Sequence, residues 1–158
     1  MRVAILTVSD SVFRGERVDL SGPALRECCA KLGWAVVAGE TVSDDSSAIQ
    51  AFLIACADAG RADLILTTGG TGLGPRDVTP EATAAVCARL VPGIGEFMRA
   101  AGMKTNSRAV LSRAVAGVRG QTIIVNLPGS PKGAVESLDA VAGMLPHAVA
   151  VLGGARHD

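Results

Sequence analysis

The chain has 158 residues, with 15 Lys plus Arg balanced by 15 Asp plus Glu, and 49% of it is hydrophobic. Such a composition folds, and a neutral chain with 3% aromatic residues has neither the basic footprint nor the stacking side chains of a general nucleic-acid binder. Its length suits one domain with its own core, spanning residues 1–158, and its lack of net charge does little to oppose self-association.

No apolar stretch is long enough to cross a bilayer. The opening MRVAILTVSD turns acidic without a small-residue cleavage site, so it reads as a first strand, and the cytoplasm is the expected compartment. RVAILTV (2–8) is a β-branched run of the kind buried in parallel sheets. In SGPALRECCAKLGW, the positions Leu25, Cys28, Cys29 and Leu32 share a helical face, with Ser21 as N-cap and Gly33 as stop. AVVAGETV (35–42) reads as the second strand, and Ile49, Phe52, Leu53 and Cys56 mark a helix from Ser46 that ends at Gly60. Cys87 completes the cysteines; none has C-x-x-C spacing, and three lie on helical apolar faces where Cys acts as a small hydrophobe.

ADLILTT (62–68) is a third strand, running into a glycine-rich segment. Thr79 then reads as an N-cap and Pro80 as the first position of a helix to about Leu90, and Pro92-Gly93 reads as a break before a helix from Ile94 to Lys104. SRAVAGV and QTIIVNL read as strands joined at Arg119-Gly120. Ser130-Pro131 opens a last helix with Leu138, Val141, Ala142 and Leu145 on one face. Trp34 reads as packing and His157 as tail. The repeated β-α units predict an α/β fold: three layers, a mostly parallel sheet with helices on both faces.

In such a sheet ligands bind outside the carboxyl ends of the strands. Ser9-Asp10, Ser43-Asp44-Asp45, Thr67 to Asp77 and LPGSPKG (127–133) all leave strands at that end. The glycines fit neither a dinucleotide fingerprint, since Pro75 stands where the third glycine belongs, nor a P-loop, since no Gly-Lys-Ser/Thr follows. They can still turn backbone N–H groups toward an anion, or simply make a tight turn. Asp77 beside such a cradle makes electrostatic sense with Mg²⁺ between them, or it is a helix N-terminal acid. One of Asp44 and Asp45 caps the next helix and the other faces the crevice; spacing alone does not separate them. Ser130 with the following N–H groups is an anion site or an ordinary strand-to-helix turn. No Ser–His–Asp or Cys–His spacing supports a side-chain nucleophile. Phosphates and a metal, without a covalent nucleophile, suit phosphoryl or nucleotidyl transfer.

The ordered set TVSDS, DLSGPAL, LTTGGTG, PRDVTPEAT, LSRAVAGVRG and IVNLPGSPKGA resembles the MoaB/Mog family of molybdenum-cofactor biosynthesis, from about residue 3 to 152. The resemblance implies the fold of molybdenum-cofactor biosynthesis proteins and transfer of AMP from MgATP to the terminal phosphate of molybdopterin, releasing pyrophosphate. It implies catalytic roles for Asp44 and Asp77, with Asp77 a Mg²⁺ ligand. Ser9, Asp10, Gly69, Gly70, Thr71 and Gly72 match nucleotide and phosphate positions, and Ser112, Asn126, Pro128, Gly129 and Ser130 match loops on nucleotide or pterin. It also implies a homotrimer that hands its product to a molybdenum-insertion protein; composition and the lack of a spanning stretch predict no nucleic acid or membrane as partner. Ser43 stands where many relatives have proline and Ser11 where arginine is common; neither removes a ligand. A non-catalytic molybdopterin carrier is the alternative, and the intact Asp44 and Asp77 argue against it.

Overall fold

The sheet's two faces follow from side-chain alternation along short strands, buried at the centre of the sheet and exposed toward its edges. The computed structural model describes residues 1–155, so His157 lies outside the described residues. Its strands are β1 (Arg2–Val8), β2 (Ala35–Val42), β3 (Leu64–Thr68), β4 (Arg89–Leu90), β5 (Ala116–Arg119) and β6 (Thr122–Leu127). They lie in the order β2-β1-β3-β6-β5-β4. The first four in that order are parallel, while β5 runs antiparallel to β6 and β4 to β5.

The helices are α1 (Asp10–Phe13), α2 (Ser21–Lys31), α3 (Ser46–Asp58), α4 (Thr79–Val86), α5 (Pro92–Met103), α6 (Pro131–Ala142) and α7 (Leu145–Leu152), with a 3-10 helix at Ser107–Leu111. Val3 and Ile5 of β1, with Leu64 and Leu66 of β3, face α2, α5, α6 and α7. Ala4, Leu6 and Ile65 face α3 and α4 across the other side. Each fully buried Leu or Ile in these layers is worth about 1.5–3 kcal/mol of burial. The expected three-layer α/β architecture is the observed one. Trp34 packs in the larger layer as expected; Leu138, Val141 and Ala142 of α6 are buried there too, but Leu145 is not on the same helix: it opens α7, bent 60° from α6, and reaches the same layer from there.

Helix ends differ from the sequence reading in instructive ways. Gly33 stops α2 as expected: it sits at φ +72°, its N–H bonds Ala30 O, and the Trp34 N–H bonds Cys29 O. That is a Schellman ending, with buried Trp34 packed into the same layer as Cys29. Ser21 is not the N-cap of α2. Asp19 accepts from both Gly22 N–H and Ser21 Oγ, so the capping oxygen comes from farther upstream. Leu32 is also more exposed than its helical position implies, because the chain is already turning at the C-cap.

Thr79 is not the N-cap of α4 but its first residue, and its hydroxyl caps nothing; the predicted helix to Leu90 ends at Val86. Cys87 is extended, and the N–H groups of Ala88 and Val91 bond Val118 and Ala116, so Arg89–Leu90 joins the sheet as β4. Pro92-Gly93 lies inside α5, where a first-turn proline lacks an N–H that would have no helical partner anyway. The hairpin turn is Gly120-Gln121, one residue later than expected, with Arg119 paired to Thr122. β5 starts only at Ala116; the preceding Ser112–Arg113 stretch is held elsewhere.

Candidate functional site

Three strand ends meet backbone to backbone. Thr68 Oγ1 donates to Pro128 O at 2.7 Å, and Gly69 N–H to Leu127 O at 3.1 Å, tying the loop after β3 to the loop after β6. Gly69 has φ +105°, and a Cβ there would lie 2.2 Å from Val8 O at the end of β1. Only glycine gives both this dihedral and this approach. The loop after β6 continues into α6, where Ser130 Oγ accepts from Gly133 N–H. Ser130 is therefore the N-cap of the helix that the sequence reading opened at Ser130-Pro131.

The acid pair after β2 divides its work. Asp45 caps α3 by accepting from Ala48 N–H at 2.8 Å. Asp44 turns to the loop after β1, accepting from Asp10 N–H at 2.8 Å while Asp10 Oδ1 accepts from Asp44 N–H at 3.0 Å. Arg76 grips Asp10 with two hydrogen bonds of 3.0 Å, and that guanidinium holds the Asp10 carboxyl below its ordinary range. Burial pushes Asp44 the other way, and the neighbouring charges of Asp10 and Asp77 add to the rise. Asp77 closes its own loop: its Oδ2 accepts from Gly74 N–H at 2.8 Å.

These groups border a divided cleft. One cavity of about 550 Å³ is lined by Gly70–Leu73, Arg99, Arg108, Ser112 and Pro128, with apolar Met98 and Leu111. A second of about 460 Å³ is lined by Ser9, Arg17, Asp19, Ser21, Asp44 and Gly69. Gly70, Asp77, Gly129 and Ser130 line both. Thr79 Oγ1 is buried without a hydrogen-bond partner, at the foot of this shared wall. A Cβ on Gly70 would sit 2.3 Å from it and 3.1 Å from Asp44 Oδ1. Among the described residues no three His, Cys, Asp or Glu gather as a ready-made metal site.

A family profile described as "Probable molybdopterin binding domain" matches residues 4–147. The chain belongs to this molybdopterin-binding family. It is 40% identical over 156 residues to a molybdopterin adenylyltransferase of Helicobacter pylori J99, covering 98% of this chain and 89% of that one. With the molybdopterin adenylyltransferase of Escherichia coli K12 it shares 39% identity over 143 residues, 89% of this chain and 73% of the relative. The crystal structure of the molybdopterin biosynthesis enzyme MoaB from Thermus thermophilus superposes with a TM-score of 0.92 at 54% identity, covering 99% of each chain.

Of the positions that the sequence pointed to in this member of the molybdopterin-binding family, most converge on the cleft. Ser9, Asp44, Gly69, Gly70, Thr71, Gly72, Asp77, Ser112, Pro128, Gly129 and Ser130 line one cavity or both. Asp10 lines neither and serves as the anchor for Arg76. Asn126 is fully buried inside the sheet: its Nδ2 donates to Thr67 Oγ1 and Thr83 Oγ1, and its Oδ1 accepts from Val115 N–H. The structure does not bring Asn126 to the cleft. Sequence reasoning missed Arg113, whose guanidinium reaches Gly72 O and Asp77 O from outside the cavities. LSRAV reads there as strand, so its one cation gave no signal.

Proposed function

We propose that this chain transfers the adenylyl group of MgATP to the terminal phosphate of molybdopterin. One observation carries the reading: two cavities of comparable size share a wall made of glycine backbone, Ser130 and Asp77, with Asp44 against it. Two reactants held side by side would meet at that wall. The relatives named molybdopterin adenylyltransferase at 39–40% identity supply the chemistry. An oxygen of the pterin phosphate attacks the α-phosphorus of ATP; the bond to the bridging oxygen breaks and pyrophosphate leaves. The attacking oxygen is already ionised, so no general base is required, and positioning and charge stabilisation dominate.

Within that reaction the N–H groups of Gly70 to Leu73 hold phosphate oxygens. Ser130 and the start of α6 add a second anion-binding edge. Mg²⁺ fits the same wall, since it takes one or two carboxylates plus substrate phosphates and needs no all-protein cage. Asp77 and Asp44 would hold it, and the orphaned Thr79 hydroxyl adds a hard oxygen beside them. When bound, the ion neutralises phosphate charge next to two carboxylates. The active form is a cytoplasmic homotrimer that passes its product to a molybdenum-insertion protein.

The test is pyrophosphate release by the purified chain with molybdopterin, ATP and Mg²⁺, omitting each in turn. Release that needs all three supports adenylyl transfer. Tight molybdopterin binding without release would leave a non-catalytic carrier.

A further inference from the structure

Arg113 touches the glycine loop at three carbonyls. Its N–H donates to Thr71 O at 2.9 Å, its Nε to Gly72 O at 2.7 Å and its Nη2 to Asp77 O at 2.7 Å. Nη1 is ion-paired with Glu81 in the first turn of α4. With that partner the guanidinium brings little net charge to the cleft, and it lines neither cavity. Its effect is therefore geometric.

A trans peptide points its N–H opposite to its C=O. All peptides here are trans, so turning the Thr71 and Gly72 carbonyls toward Arg113 turns the N–H groups of Gly72 and Leu73 away from it. Among the described residues, the N–H groups from Gly70 to Leu73 have no hydrogen-bond partner, while those residues line the larger cavity. A glycine-rich loop loses more freedom on ordering than any other, and its surface carbonyls could equally bond water in many arrangements. A planar fork fixed by Glu81 selects one of them. It also fixes the backbone of Asp77 across the same loop. The residues just before it, Arg108 to Ser112, include walls of the larger cavity.

We propose that Arg113 is a positioning residue: it holds the loop from Thr71 to Asp77 with its N–H groups preorganised to receive the phosphates. The proposal rests on the adenylyl-transfer reading for its consequence in turnover, and on phosphate binding alone for its first test. The experiment measures the affinity of inorganic pyrophosphate by calorimetry, pyrophosphate release and melting temperature for wild type, Arg113→Ala, Arg113→Lys and Glu81→Gln.

In Arg113→Ala, pyrophosphate affinity falls at least about 10-fold and turnover about 100-fold, on the scale of losing preorganised donors. Added methylguanidinium restores part of that turnover, and methylammonium does not. Arg113→Lys stays impaired, because one ammonium cannot replace a fork that reaches two carbonyls. Glu81→Gln, at an exposed position, shows a smaller loss of the same kind. Should Arg113→Ala fail to fold, Arg113→Lys and Glu81→Gln decide. Unchanged pyrophosphate affinity in a folded Arg113 variant overturns the proposal, as does a wild type that binds no pyrophosphate. A wild type that binds pyrophosphate yet releases none from ATP and molybdopterin sinks the adenylyl-transfer reading and leaves the positioning role standing on the affinities.

Discussion

Asp44 is held at odds with its own charge. Burial and the nearby carboxylates of Asp10 and Asp77 raise its pKa above the ordinary 3.8, so the folded state binds its proton more tightly than the unfolded state does. By linkage the ionised residue lowers stability at neutral pH, and this loss disappears as pH falls below the unfolded value, where both states are protonated. Asp44→Asn keeps an acceptor for Asp10 N–H and removes the charge. It should melt about 1–4 °C above wild type at pH 7, with the gap closing toward pH 3 in a pH series of melting curves. The same variant should lose activity, since carboxylates that repel one another are the ones a bound cation needs. Asp77→Asn makes the complementary case. Its carboxamide can still accept from Gly74 N–H, so the fold persists while turnover drops by about 100-fold or more. Turnover at the wild-type rate would remove Asp77 from its assigned role.

At the scale of elements, glycines with positive φ do two different jobs, and substitution separates them. Gly33 ends α2 in open space, where an added side-chain carbon would meet nothing within 4 Å, so Gly33→Ala should cost only about 1 kcal/mol and leave turnover intact. Gly69→Ala meets Val8 O as well as an unfavourable dihedral. About 1–3 kcal/mol of strain is expected there, with the β1 and β3 loops forced apart and activity lost. Melting curves and pyrophosphate release on the two variants check the contrast. The same division explains what could be read in advance. Most strand runs, most helical faces and the Gly33 and Gly60 stops are local patterns, and they stand in the structure within a residue or two; the face read through Leu145 does not, because the chain bends between α6 and α7. The end of α4, the strand at Arg89–Leu90 and the start of β5 depend on pairing with distant residues, so periodicity could not place them. Asp44 and Asp45 were inseparable by spacing because each precedes α3; the reciprocal bonds to Asp10, 34 residues away in the chain, divide them. Asn126 shows the converse, a loop-like motif position whose side chain the sheet takes for its own network.

For the whole molecule, the decisive feature is that the two cavities share one wall. Among the described residues neither cavity is lined by a cysteine or histidine, and the serines on the shared wall and at the β1 loop are committed to helix caps. A double-displacement route would need one such group to carry the adenylyl moiety between separate half-reactions. A shared wall needs none, because both reactants can be present together and react across it. The kinetic order should therefore be sequential: double-reciprocal plots at several fixed molybdopterin concentrations should intersect, and radiolabelled pyrophosphate should not exchange into ATP when molybdopterin is absent. Parallel lines with pterin-independent exchange would mean a covalent adenylyl-enzyme. The search for its carrier would then begin with Ser130 and Asp77, the side chains that face both cavities.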